Sequence, residues 1–328
     1  MVKYRWVIKM TKQYSFTDIE YSNRRRKTKR ETFLEKMDSV VPWDEWVAII
    51  QPIYPNGKRG RRPQDIEKML RMMLLQTWFN LSDEGIEDAI YDSYAMRCFL
   101  NINFDNEQVP DATTLCKFRK LLVENDIYTK IFSQVQEVLE KENKAVHGGT
   151  IVDATIVEAS SSKKNQSKST DPEMHSTRKG TKWYFGMRAH IGVDPLYGFV
   201  HTLVCAPANE AEPKVAAKLL RPDDSVVYGD AAYLKMNRYV KDDIDREYRI
   251  NRQVGTFKRH YGNSLAWYEE KKLEMRKSSV RWKVEYVFHI VKDIFGWRKV
   301  RYKGIYKNQC HANLLFSCAN LYMLATGF

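Results

Sequence analysis

Three carboxylates stand out by type and setting. Asp153 interrupts the apolar, β-branched run Thr150–Val157, TIVDATIV. A carboxylate there is costly to desolvate unless it is paired or binds a metal. Asp230 ends a second apolar run, SVVYGD, directly after a glycine. The carboxyl ends of strands in an α/β sheet are where ligands and catalytic groups gather. Glu285 lies on a helical pattern with Arg281 four residues before it and Lys292 seven after. On a helix those three fall within about 60° of one another. Singly, each has a plain reading: a solvent-facing strand residue, a strand end, an i,i+4 ion pair with Arg281. Together they can do phosphodiester chemistry. Two Mg²⁺ ions about 3.5–4 Å apart can activate a nucleophile and stabilise a leaving 3′ oxygen. Mg²⁺ takes hard oxygen ligands, one or two carboxylates per ion. Arg281 and Lys292 would then hold flanking phosphates, the first by its fork and the second as a point charge.

The elements that must position these groups can be read from periodicity. Phe33, Leu34, Met37, Val40 and Val41 follow a helical spacing that Pro42 stops. A basic connector, residues 57–62, leads to an amphipathic helix carrying Ile66, Met69, Leu70, Met73 and Leu74. Ser82 and Asp111 are suited to cap the next two helices. The second of these, Thr113–Val123, presents Lys117, Arg119 and Lys120 beside Leu115, Phe118, Leu121 and Leu122. A fourth helix runs through Ile127, Ile131, Val135 and Leu139. Residues 60–143 are thus expected to form an all-helical unit.

After His147-Gly148-Gly149 the pattern turns to strands. Thr150–Val157, Trp183–Val193 and Gly198–Cys205 read as three strands, and Ser160–Lys182 as a Ser- and Lys-rich loop. A short helix at Pro213–Leu220, a strand at Ser225–Tyr228, a helix at Met236–Asp245 and a strand at Tyr248–Asn251 follow. Phe257–Glu270 reads as basic and irregular. Helices are expected over about 273–295, buried along Val284, Phe288, Val291 and Phe295, and over about 308–325. This is an α/β domain with a mixed sheet. The divisions are a basic N-terminal arm and helix (1–56), a helical DNA-binding or assembly domain (57–145) and a catalytic domain (146–328).

Charge points to the partner. The chain has 328 residues, a formal net charge of +13 and a pI near 9.3. A polyphosphate partner explains that excess, because Lys and Arg gain affinity by releasing backbone counterions. The run Arg24-Arg25-Arg26-Lys27-Thr28-Lys29-Arg30 is either a solvated arm or a DNA contact. No apolar stretch approaches the roughly 20 residues of a spanning helix, and no leader pattern opens the chain. A cytosolic, reduced protein is expected. Five cysteines without a C-x-x-C pair argue for free thiols rather than a disulfide framework or zinc site.

Longer stretches carry a resemblance. They are GRRPQDIEKMLRMMLLQTWFNLSDEGIEDAIYDS (60–93), VPDATTLCKFRKLLVEND (109–126), GTIVDATIVEASSS (149–162), DPEMHSTRKGTKWYFGMRAHIGVD (171–194), YGDAAYL (228–234), VRWKVEYVFHIVKDIFGWRKVRYKG (280–304) and NLLFSCANLYML (313–324). In these the chain resembles bacterial DDE transposases of the insertion-sequence-five family, within the larger insertion-sequence-four/five group. The resemblance spans about residues 15–325. It implies a ribonuclease-H-like catalytic domain behind a helical domain. It also implies cleavage of DNA at mobile-element ends by water, then strand transfer of the freed 3′-OH into target DNA, with no covalent enzyme–DNA intermediate. Mg²⁺, two ions with Mn²⁺ able to substitute, is the implied cofactor. The first and second catalytic Asp fall on Asp153 and Asp230 and the Glu on Glu285. These three are also the implied metal ligands. The group's helix signature is Tyr, two residues, Arg, three residues, Glu, six residues, Lys. Arg281, Glu285 and Lys292 match it, and Ser278 stands at the Tyr position. Implied partners are terminal-repeat and target duplex DNA and a second copy of the chain, as a dimer or higher oligomer on DNA. No nucleotide cofactor or membrane is implied.

Beyond the carboxylates, Lys299, Arg301 and Lys303 follow the catalytic helix and are candidate phosphate contacts, as are Lys117 and Arg119. Glu210 and Glu212 follow a strand and could assist the site. His147, His175, His190 and His201 lack a zinc spacing, and Trp183, Trp282 and Trp297 read as core or half-buried. Two other readings remain open: a silent protein that occupies element ends and represses, and a nuclease that cuts without joining.

Overall fold

The computed structural model describes residues 21, 23–57, 62–163, 169–253, 255, 262 and 264–327. The basic connector's residues 58–61, and Lys164 and Lys168 of the Ser-rich tract, lie outside them. Among the described residues seven helices of the N-terminal part can be followed: α1 (Lys29–Val40), α2 (Trp43–Ile50), α3 (Ile66–Trp78), α4 (Asp83–Asp92), α5 (Tyr94–Phe99), α6 (Ala112–Glu124) and α7 (Ile127–Lys141). Their starts are written in the sequence. Thr28 and Glu31 form a reciprocal capping box on α1. Asp65, Ser82 and Asp111 each accept from a backbone N–H in the first turn of α3, α4 and α6. Every residue of α3 except Glu67 and Lys68 is buried, so this helix is the axis of the unit.

A mixed six-stranded sheet follows. Its strands are β1 (Gly149–Glu158), β2 (His175–Lys179), β3 (Lys182–Val193), β4 (Val200–Pro207), β5 (Val226–Gly229) and β6 (Glu247–Ile250). The path is β2-β3-β1-β5-β6, with β4 also on β3. β3 runs antiparallel to β1, β2 and β4, whereas β1, β5 and β6 are mutually parallel. At Gly186, β3 crosses β1 so closely that an added Cβ would sit 2.2 Å from the Val157 carbonyl oxygen. A short helix α8 (Glu212–Ala216) precedes β5. Two long helices close the chain, α9 (Leu265–His289), continued by a π turn at Ile290–Ile294, and α10 (Ile305–Thr326).

α10 is buried almost all round and packs on α7, β4 and α1. It also completes the backbone of β4. Asn320 accepts from Val200 N (2.9 Å) and donates to Val200 O (2.8 Å), and Gln309 accepts from Cys205 N (2.6 Å). Such pairing satisfies strand groups that would otherwise be buried unbonded. One continuous apolar core joins the helical unit to β1, β3, β4, α9 and α10. Among the described residues no helix is long and apolar enough to cross a membrane.

Four expectations need correction. The tract Ser160–Lys182 contains β2, a strand whose residues are mostly exposed and which is held by pairing with β3 rather than by burial. Met236–Asp245 forms only a 3₁₀ turn at Met236–Arg238. Leu265–Glu270, expected to be irregular, are the first turns of α9. Trp183 and Trp282 are exposed, and only Trp297 of the three is core. The expected stripe Val284, Phe288, Val291 and Phe295 is buried. All five cysteines are free, with Cys205, Cys310 and Cys318 buried.

Candidate active site

The register of the parallel strands brings the two aspartates level. β1 and β5 pair as Ile151↔Tyr228, and two residues further along lie Asp153 and Asp230. β5 ends at Gly229 whereas β1 runs on to Glu158, so the sheet opens beside Asp153 where β5 stops. Asp153 Oδ1 accepts from Ala154 N (2.7 Å). Asp230 caps the 3₁₀ turn Ala231–Tyr233, accepting from Ala232 N (2.9 Å). Each short side chain is thereby fixed by local backbone.

α9 packs over β1 and β5 and is tied to β1 at two points. Arg281 Nη2 lies 3.4 Å from Asp153 Oδ2. Lys292 Nζ, in the π turn, donates to Ile156 O (2.8 Å). Glu285 is exposed and falls between these ties on the helix. The expected trio of Arg281, Glu285 and Lys292 thus runs along β1, from Asp153 towards its end.

Burial pushes the Asp153 carboxyl up to about 7, and the charges of Asp230 and Glu285 add to the rise, opposed by Ala154 N–H and Arg281. The three carboxylates therefore share one electrostatic neighbourhood. Among the described residues no three His, Cys, Asp or Glu side chains stand close enough to hold one ion in common. The donor set still fits a hard divalent cation. Asp153 is a mostly buried carboxylate whose charge is destabilised by two neighbouring anions, and a cation among them would remove that penalty.

Other groups adjoin the site. Tyr233 is buried, and its phenol is raised well above its usual range by burial and by Asp153, Glu212 and Asp230. Glu212 pairs with Arg188 on β3 (2.9 Å), and Arg188 also donates to the Glu210 carbonyl. Asn251, one residue past β6, was not foreseen. It accepts from Arg281 Nη1 (3.3 Å). An asparagine after a short strand carries no sequence signal beyond that of a turn residue.

The basic candidates separate. Lys299 bridges β1 through Glu158 and is exposed, as is Lys303. Arg301 and Lys303 line a groove of about 410 Å³ with Ser160, Ser162, Thr170 and Tyr302. Burial lowers the pKa of Lys292 and of Arg301. Lys117 is exposed on α6. Arg119 is 8% exposed. Its fork grips Asp83 (2.6 and 2.7 Å), and Nη1 also donates to Gln76 (2.6 Å). It is a buried structural cation rather than a phosphate contact. In the N-terminal run, Arg24 pairs with Glu31, Lys27 with Glu35, and Arg30 lies 5.2 Å over the Phe79 ring.

The histidines are scattered. His190 is fully buried in β3, His147 bridges Glu140 and Asp223 at the surface, and His201 meets Thr150. His175 is exposed on β2.

Residues 22–121 match the family model described as Transposase domain (DUF772). Residues 144–321 match the model described as Transposase DDE domain, and that match covers β1 to β6, α9 and most of α10. No solved structure matches the chain. DDE transposases cut and join DNA with divalent metal, generally Mg²⁺, so the substrate is DNA. With more than half of its length in that domain and the transposase domain ahead of it, the chain belongs to the DDE transposases of the insertion-sequence-four/five kind.

Proposed function

We propose that Asp153, Asp230 and Glu285 are the catalytic and metal-holding residues of an insertion-sequence-five transposase with a ribonuclease-H-like catalytic domain. The observation that carries the reading is the strand register. It sets Asp153, midway along β1, level with Asp230 at the end of β5, on the strands against which the helix bearing Glu285 packs. A parallel β1-β5-β6 run flanked by antiparallel β3 and β4 is consistent with the proposed fold. Residues 1–56 would be an arm and helix, 57–145 the unit that reads element ends, and 146–328 the catalytic domain.

Bound between the carboxylates, two Mg²⁺ ions, or Mn²⁺, would supply Lewis acidity to the attacking and leaving oxygens. The chain's own groups supply position. Asp153 and Asp230 are held rigid by their backbone bonds, and Glu285 completes the set from α9. Water attacks the phosphorus at the element end, the P–O3′ bond breaks and the 3′ oxygen leaves with a proton. That 3′-OH then attacks a target phosphodiester, the target's own P–O3′ bond breaks, and its 3′ oxygen leaves with the proton the attacking hydroxyl gives up. Arg281 and Lys292 would hold phosphates beside the scissile bond, and Lys299, Arg301 and Lys303 would guide the strand beyond it. Lys117 would contribute from the helical unit. Two ends must be held together, which favours a dimer or higher oligomer on DNA, acting on the bacterial nucleoid.

Nicking of the element's end DNA in Mg²⁺ or Mn²⁺ is expected for wild type, and its loss for Asp153→Asn and Glu285→Gln with DNA binding kept. Nicking by either variant at the wild-type rate removes that residue from the site.

A further inference from the structure

The β5–β6 register runs Gly229↔Ile250, so Asn251 is the next residue level with Asp230. Asp153 midway along β1, Asp230 just past β5 and Asn251 just past β6 thus form a row across three parallel strands. Asn251 is 8% exposed. Its Nδ2 faces three acceptors on α9: Glu274 O (3.2 Å), Glu274 Oε2 (2.9 Å) and Ser278 Oγ (3.3 Å). That leaves Oδ1 as the atom turned to Arg281 Nη1 (3.3 Å). The amide cannot flip without setting its oxygen against those acceptors. Glu274 is itself held, accepting from Arg252 N (2.9 Å) and Lys277 Nζ (2.7 Å).

Arg281 is therefore stretched between Asn251 at the end of β6 and Asp153 midway along β1. Among the described residues its buried Nε has no acceptor. A guanidinium held at two points has few ways to collapse onto Asp153 or swing into solvent. The second hydrogen on each Nη can then meet a phosphate. Ser278, at the position where the family signature has a tyrosine, is part of this arrangement. A tyrosine would carry its hydroxyl well past the amide, whereas the short serine hydroxyl accepts from it.

We infer that Asn251, oriented by Glu274 and Ser278, is a positioning residue that aims Arg281 at a DNA phosphate beside the carboxylates. This rests on the roles proposed above for Asp153 and Arg281. Two measurements test it on wild type, Asn251→Ala, Arg281→Ala, Arg281→Lys, the double alanine variant and Asp153→Asn. The first is nicking of end DNA in Mg²⁺. The second is salt-dependent binding of the same DNA in EDTA.

Asn251→Ala is expected to slow nicking about 10- to 100-fold, the usual effect of removing a group that orients a site residue. In EDTA the slope of log K against log salt should fall by about 0.9, one phosphate contact, in Asn251→Ala and Arg281→Ala alike. The double variant should lose no more than either single in rate or slope. Arg281→Lys, which keeps the charge but not the fork, should nick as slowly as Arg281→Ala. Losses that multiply in the double variant, a wild-type salt slope for Asn251→Ala, or wild-type nicking by Arg281→Lys would each overturn the inference. If Asn251→Ala does not fold, Arg281→Lys decides. Nicking by Asp153→Asn would instead break the carboxylate reading, while the EDTA binding series would still report on Asn251.

Discussion

Replacing Asp83 by alanine should destabilise the helical unit by about 3 kcal/mol. Arg119 is buried, and both its Nη atoms bond Asp83, with the Gln76 side-chain oxygen and Cys116 Sγ as the remaining acceptors. Removing one partner of a buried ion pair typically costs about 3–5 kcal/mol, because the other charge stays behind unpaired. The Asp83 side chain is 34% exposed, so water can enter the vacated space, and the lower end of that range applies. With a urea m-value near 3 kcal/mol/M for a chain of this size, the unfolding midpoint should fall by about 1 M. Asp83→Leu combined with Arg119→Met should recover most of the loss, since neither charge is then buried. The assay is urea unfolding followed by tryptophan fluorescence, supported by Trp46 and Trp78 in the surrounding core. A midpoint shift below about 0.3 M for Asp83→Ala, roughly 1 kcal/mol on the same scale, would refute the reasoning. So would a double variant no more stable than the single. Arg119 also holds the Asp83 carboxyl well below the usual carboxylate range. Its contribution is therefore complete above the ordinary carboxylate pKa and is lost only as pH falls through the depressed folded value. The DNA readout separates Arg119 from its neighbour. Lys117→Ala should lower the salt slope of binding by about 0.9, and Arg119→Met should leave it unchanged.

Further expectations concern the rest of the fold. Burial pulls the imidazoles of His190 and His311 down to about 3. Both are neutral in the folded chain, while the unfolded chain takes up protons below about pH 6.5. Stability should therefore be fully present above that pH. It should fall with decreasing pH towards 3, by up to about 1.4 kcal/mol per unit for each histidine. Burial pulls the His201 imidazole down to about 3 as well, so His190→Leu should flatten the combined slope by about a third in urea midpoints taken from pH 7 to 4, and an unchanged slope would contradict it. Asn320→Leu would orphan the buried Val200 N–H, although Val200 O keeps Gln136 as a donor (3.0 Å). A loss of about 1–3 kcal/mol is expected, and a neutral variant would mean the strand repairs itself. In the groove beyond the site, Lys303→Ala should reduce the salt slope of end binding by about 0.9 without regard to sequence. An effect confined to one end sequence would point to base reading instead.

Much of the site was legible because its residues break local rules. A charged residue inside TIVDATIV and an aspartate closing SVVYGD conflict with their apolar surroundings, and Glu285 shares a helix face with two cations. What stayed hidden depends on contacts distant in sequence. Arg119 reads like any cation on a Lys- and Arg-rich helix, and its burial is set by Asp83, 36 residues earlier. Asn251 looks like a turn residue until α9 brings Glu274, Ser278 and Arg281 against it. β2 carries no apolar alternation, because it exists through its pairing with β3. At Met236–Arg238 the apolar spacing suggested a helix where packing supports a single turn, with Met236 and Tyr233 in the small core under β5.

The most direct test of the central claim is cleavage of the element's own end DNA by wild type and Asp230→Asn, in Mg²⁺ and in EDTA. Asp230 is half-buried, and asparagine keeps a side-chain oxygen to cap the Ala231–Tyr233 turn, so the fold should stay intact. Cutting at the element end by wild type alone, and only with metal, is the predicted result. Equal binding of the end by both proteins with cutting by neither, or cutting by both, would contradict the assignment of catalysis to Asp153, Asp230 and Glu285.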